Sequence, residues 1–145
     1  MKRYGYVTKE AAILLRNLGY EHECTHVYEE NGDELKLFVN YGFKDTDGDL
    51  IPTYEEGCIA DGFIAAPKIE DVATWIYLRK KAVLLYKHEN LIKDIYGTLQ
   101  RACTVRLYKP FGEPEDLYQT EYFYEQQTAS NQAIIWILKN LFKDE

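Results

Sequence analysis

Serine is almost missing from this chain: Ser130 is the only one among 145 residues. It falls in the first turn of an expected helix with no G-x-S-x-G around it, so a serine nucleophile has no support. Cysteine is scarce too. Cys24, Cys58 and Cys103 are odd in number, far apart and form no C-x-x-C. That pattern argues for reduced thiols in a cytoplasm rather than a disulfide framework. Cys58 with His88 as a thiol–imidazole pair has nothing local to fix its geometry, and a lone cysteine is usually a small buried hydrophobe. The nine glycines never cluster, which excludes a phosphate-cradling loop. No stretch approaches the roughly 18 unbroken apolar residues of a membrane span, and no apolar run follows the charged N-terminus, so neither a membrane partner nor a signal peptide is expected.

Positive charge is also in short supply. Seventeen Lys and Arg stand against 24 Asp and Glu, for a net charge of −7, spread along the chain rather than gathered in a tail. A nucleic-acid partner is disfavoured, because phosphate binding draws on clustered cations that release counterions. Arg79, Lys80 and Lys81 form a short basic run, read most simply as a solvated helix end.

What the chain does have is a core. Hydrophobic residues make up 46% and aromatics 14%, enough for one domain spanning residues 1–145. Thr8 is placed to cap a helix over 8–18, with an apolar stripe of Ala11, Leu14, Leu15 and Leu18 and a left-handed stop at Gly19. Strands are expected at 22–29 and 34–43, joined by Asn31-Gly32 as a tight turn with both residues at positive φ, and at 50–55 after Asp47-Gly48. These three form a meander. Residues 57–66 read as a connection with a short strand around Ile59.

Pro67 opens a second helix running to about Lys80, with Ile69, Val72, Ala73 and Ile76 as its stripe. A short strand at 82–86 follows. Residues 90–101 suit either a helix or a strand and turn. Further strands are expected through Val105 and Leu107 to Pro110 and over 117–124, with Phe111 to Asp116 as a loop between them. Thr128 is expected to cap a final helix to about Phe142. This order predicts the α+β class: an antiparallel sheet covered on one face by about three amphipathic helices.

Two motifs could carry metal chemistry. His22-Glu23-Cys24-Thr25-His26 fits H-E-x-x-H, which on a helix would support a metal-dependent hydrolase with Glu23 as general base. The string begins just after Gly19, however, so an extended backbone is expected. His22, Cys24 and His26 would then share a strand face at roughly 6.6 Å spacing, with Glu23 pointing away. Asp45, Asp47, Asp49 and Glu56 occupy EF-hand ligand positions, but Leu50 stands where the loop needs glycine, so an acidic hairpin turn is the better account. No cofactor is implied.

Binding surfaces remain. Tyr118, Tyr122 and Tyr124 alternate along the 117–124 strand and would share one face, and tyrosine suits interfaces. On the last helix, Ile134, Ile137, Leu138 and Leu141 form the stripe while Trp136 projects almost opposite. That position invites a protein partner, a second subunit or a covering loop. A small-molecule pocket between sheet and helices is a further option.

Three stretches together carry a resemblance: Tyr6-Val7-Thr8 through Ala11, Leu14-Leu15 and Leu18-Gly19-Tyr20; Ala66-Pro67 with Val72 and Trp75-Ile76; and Thr128 opening the terminal helix. They resemble short uncharacterised proteins encoded by bacteriophages and mobile elements of gut Bacteroidales-type bacteria. The resemblance implies a small intracellular accessory protein of phage origin. Its motifs are caps and core positions, so no functional residue is carried over. The expected function is therefore a non-enzymatic binding protein that meets a host protein or itself.

Overall fold

The computed structural model describes residues 5–20, 24–37, 43–44, 50–51, 63–90 and 99–143. The chain gathers into two compact units, Met1–Lys68 and Ile69–Glu145. The α+β class stands, with helices packed on antiparallel sheets. The described strands divide between two three-stranded sheets and a two-stranded ladder, rather than forming one sheet.

In the first unit, α1 spans Lys9–Asn17. Thr8, in extended backbone, accepts the Ala11 N–H at 3.4 Å. At the other end Gly19 takes φ +80°. Gly19 N–H bonds Arg16 O at 3.1 Å and Tyr20 N–H bonds Leu15 O at 3.0 Å, the paired bonds of a Schellman stop. The chain then turns into β1 (His26–Glu29), which pairs antiparallel with β2 (Leu35–Leu37). A short ladder of β3 (Phe43–Lys44) and β4 (Leu50–Ile51) follows.

The third strand beside β1 is β5 (Phe63–Ala66), which puts β1 in the centre. Both expected hairpin pairings are present among the described residues, β1 with β2 and Phe43 with Ile51, but the strand that completes the first sheet is β5, from a stretch read as a connection, so β1 is central. Phe63-Ile64-Ala65-Ala66 has too few large side chains to show an alternating pattern. Tyr28 lies opposite both Leu35 and Ile64, and all three are buried, each worth about 1.5–3 kcal/mol of apolar transfer. The Tyr28 hydroxyl donates to Val7 O at 2.6 Å, so its one polar atom is satisfied.

The β1–β2 connection also differs from expectation. Neither Asn31 nor Gly32 has positive φ, so the turn is not the tight mirror-image type. A tertiary contact holds it instead: the Lys9 ammonium donates to Glu30 O at 2.8 Å and Gly32 O at 2.7 Å. One charged donor from α1 thereby satisfies two turn carbonyls.

In the second unit, α2 spans Ile69–Lys80, β6 Ala82–Asn90, β7 Leu99–Leu107, β8 Glu115–Gln119 and α3 Gln126–Asn140. β6 and β7 pair along their whole lengths, from Ala82↔Leu107 to Asn90↔Leu99, and β8 joins the far edge of β7. Residues 99–101 are thus strand, which settles that end of the stretch left open between helix and strand. The core is built from Val72 and Ile76 of α2, Ala82, Cys103 and Val105 of the sheet, and Ala133, Ile134, Ile137 and Leu138 of α3. Thr128 is no cap: α3 starts at Gln126, after an extended Glu125 that makes no side-chain capping bond.

Candidate functional site

The described end of the H-E-x-x-H string, Cys24 to His26, is not helical. His26 is the first residue of β1, Thr25 lies in a bend, and Cys24 is buried. The described end of the string therefore leaves out the helical turn that a zinc protease needs. His22 and Glu23 fall outside the described residues. The His26 Nδ1 pairs with Thr25 Oγ1 at 2.8 Å, and its ring lies 4.6 Å from that of Tyr6. Burial and then the Lys68 charge lower the His26 pKa, so the neutral ring is favoured. Among the described residues, no three His, Cys, Asp or Glu side chains gather to hold a metal ion. The acidic turn positions Asp45, Asp47, Asp49 and Glu56, and Cys58, lie outside the described residues.

Trp136 finds its cover inside the chain. Its indole stacks on the Tyr118 ring, with centroids 4.9 Å apart and planes 2° from parallel. A β-bulge makes this possible. Val105 pairs with Tyr118 and the next residue, Arg106, pairs with Asp116, skipping Leu117. In an unbroken strand Asp116 and Tyr118 would share a face. The extra residue turns them apart. Tyr118 then meets α3, while Asp116 pairs with Arg106 at 2.6 Å, a bond that lowers the Asp116 pKa.

β8 stops at Gln119, so the even alternation of Tyr118, Tyr122 and Tyr124 fails. Thr120 is buried, and its hydroxyl accepts the Cys103 N–H at 2.9 Å in place of a strand carbonyl. Pairing resumes only at Arg101↔Phe123. Tyr122 is half-buried, and Tyr124 is exposed with its carbonyl taking the Arg101 guanidinium at 2.8 Å.

Ser130 and Cys103 lie buried in the second unit. Ser130 Oγ gives its one proton to Gln126 O at 3.0 Å, so the 2.6 Å contact with Tyr86 is the phenol donating to Ser130. Burial raises the Tyr86 pKa, which keeps that proton in place and leaves Ser130 without a general base. Burial likewise pushes the Cys103 thiol up to about 12, far from the thiolate that nucleophilic chemistry requires.

The remaining feature lies where α2 ends. Trp75 of α2 stacks on Phe142, which follows α3, at 5.0 Å and 6°. The Arg79 guanidinium sits 5.2 Å from the Trp75 ring and 5.7 Å from Phe142, and the Lys80 ammonium 4.8 Å from Phe142. These are cation–π distances. Lys81 then takes φ +58°, the one non-glycine at positive φ among the described residues. Its N–H bonds Tyr77 O at 2.8 Å, its carbonyl accepts the Tyr108 N–H at 2.9 Å, and its ammonium lies 5.1 Å over the Tyr77 ring.

Four large apolar side chains of the second unit's α2 end and β7–β8 loop are exposed: Tyr77 at 43%, Leu78 at 65%, Tyr108 at 42% and Phe111 at 94%. Tyr77 and Leu78 occupy the face of α2 opposite its buried Val72–Ile76 stripe. Phe111 stands in the β7–β8 turn, followed by Gly112 at φ +109°. Compared with known proteins, the chain matches no family model, no curated protein and no solved structure. The chemistry of this surface is read from its own residues.

The basic run was visible in the sequence, but its surface character was not. A phenylalanine between Pro110 and Gly112 is the signal that marks it, since an apolar side chain in a Pro/Gly turn has no strand or helix face to bury it. Leu78 carries a second signal, because it falls off the helical stripe of Ile69, Val72 and Ile76.

Proposed function

We propose that the protein is a non-enzymatic binding protein whose contact surface is the end of the second unit carrying Tyr77, Leu78, Lys81, Tyr108 and Phe111. The observation that carries this reading is Phe111, 94% exposed in the loop between β7 and β8, with Tyr77, Leu78 and Tyr108 also exposed in the same unit. Clustered exposed apolar groups rimmed by charge mark interaction sites. The surface initially expected, Trp136 with Tyr118, contributes less, because the two rings already cover each other. The resemblance to phage accessory proteins adds a setting: a partner met in the cytoplasm of a bacterial host.

Site-specific photocrosslinking tests the reading. With p-benzoylphenylalanine in place of Phe111, irradiation of Bacteroidales-type host cells should give a discrete adduct. The same probe at exposed Glu10 in the first unit should give none. Equal labelling at the two positions, or no adduct at 111, would remove this surface as the contact site.

A further inference from the structure

We infer that Asn31-Gly32 is a covalent modification site, deamidated through a cyclic imide when the β1–β2 turn opens, and that the Lys9 ammonium sets how often it opens. The site involves the first unit alone and does not depend on the contact surface proposed above. Of the six asparagines, Asn31 is the only one followed by glycine. Asparagine before glycine is the pair most open to cyclisation, because no side chain shields the nitrogen that follows.

The turn itself has little use for either residue. Glu29 O accepts the Gly32 N–H at 3.2 Å, and neither central residue, Glu30 or Asn31, has positive φ, which makes this a type I turn. Gly32 also lies outside the left-handed region. A Cβ there would meet only Glu29 side-chain atoms, at 3.9 and 4.0 Å, so neither conformation nor space demands glycine. Asn31 is exposed, and its side-chain amide makes no hydrogen bond among the described residues, so it does not brace the turn as asparagine often does. What the pair supplies is an unengaged amide carbon next to an unshielded nitrogen.

The reaction needs only water and a base from solvent. The Gly32 nitrogen gives up its proton and attacks Asn31 Cγ, closing a five-membered ring. The bond from Cγ to the side-chain nitrogen breaks, and that nitrogen takes up a proton and leaves as ammonia. Water then opens the ring at either carbonyl, leaving aspartate or isoaspartate at position 31. In the closed turn the Gly32 N–H is bound to Glu29 O and must be released before its nitrogen can reach Cγ. Lys9 holds that release back, because its ammonium bonds the carbonyls on both sides of Asn31, Glu30 O at 2.8 Å and Gly32 O at 2.7 Å. The same two bonds make the change one-way. Isoaspartate carries the main chain through the former side chain, one methylene longer, and spreads the carbonyls that a single ammonium now bridges. A reacted turn therefore cannot regain its native bonds, and the site records the time spent open.

Peptide mapping by mass spectrometry provides the test, on the full chain incubated at mildly alkaline pH, with fragmentation that separates aspartate from isoaspartate. In wild type both products should accumulate at position 31 while the other five asparagines keep their amides. Lys9→Met should convert about tenfold faster, since turn opening is a local equilibrium that two charge-assisted bonds oppose. Gly32→Ala, which the turn has room for, should lose the conversion on the same timescale. Gly19→Val separates local opening from general loosening: it destabilises the first unit at the other end of α1 and leaves the Lys9 contacts in place, so it should convert more slowly than Lys9→Met. Thermal melts establish that each variant is folded. Three results would overturn the inference: intact Asn31 in both wild type and Lys9→Met, equal rates in those two chains, or aspartate without isoaspartate. Acceleration by Gly19→Val as large as that by Lys9→Met would remove Lys9 from its role.

Discussion

Helices α1 and α2 both end on a left-handed residue, Gly19 at φ +80° in one and Lys81 at φ +58° in the other. The geometry is similar and the chemistry is opposite. Glycine reaches that region without a Cβ penalty. A lysine there costs about 1–2 kcal/mol, and its surroundings must hold it. Tyr77 O takes its N–H, Tyr108 N–H meets its carbonyl, and Ala82 enters the β6–β7 ladder immediately afterwards. One stop serves the backbone, and the other keeps a side chain that the backbone would rather not have.

The lysines at the two ends of the comparison differ in the same way. Lys9 is spent on structure, its ammonium bonded to two turn carbonyls. Lys81 displays its charge over an exposed ring. A structural cation and a presented cation look alike as letters, and only their neighbours separate them.

Substitution at Gly19 is the harshest way to probe this contrast. A Cβ there would touch nothing within 4 Å, so Gly19→Val carries the backbone penalty alone, about 2 kcal/mol. Urea denaturation should show that loss. An unchanged midpoint would mean that α1 is ended by something other than its left-handed stop. Next in size is Lys9→Met, which keeps the aliphatic stem and removes the charge-assisted bonds. A loss of about 1.5 kcal/mol is expected, and a variant as stable as wild type would show that the turn holds itself.

A gentler effect concerns His26, which follows the Gly19 stop into β1. Its folded pKa lies below the ordinary histidine value of 6.5, so the unfolded chain binds the proton more readily than the native one. Its contribution to stability is complete above pH 6.5 and declines as acid brings the pH down through the lower folded pKa. Melting temperatures of wild type and His26→Gln, compared from pH 7.5 downward, should converge as the pH falls. Parallel curves would refute the linkage.

Smallest of all is Lys81→Gly. Relief of about 1–2 kcal/mol of left-handed strain is offset by about 1 kcal/mol of added chain entropy and about 0.5 kcal/mol of lost cation–π contact. Stability within about 0.5 kcal/mol of wild type is expected from that sum. A large loss would make Lys81 a structural residue like Lys9 and would end the contrast.

Much of the helical structure was legible residue by residue. Thr8, the Ala11–Leu15 stripe and Gly19 mark α1 because caps and helical period are local properties. Pro67 and the Val72–Ile76 stripe mark α2 for the same reason. Thr128 misled because a capping residue inside a helical run looks the same as one at its start. Strand partners were harder. β5 joined β1 although its own four residues show little period, and the alternation of Tyr118, Tyr122 and Tyr124 ends because β8 stops at Gln119. The candidate surface was legible only as a basic run, since exposure depends on what packs over each side chain.

Local chemistry alone determined the α+β class, the two best-marked helices and the strand at His26–Glu29, because each follows from backbone preference and period within a few residues. Tertiary structure decided the rest. It turned Trp136 from an open contact into a stacked pair and gave Lys9 to a distant turn. It also set Lys81 over Tyr77. These outcomes depend on which residues, distant in sequence, are brought within a few ångströms, and short-range pattern carries no record of that.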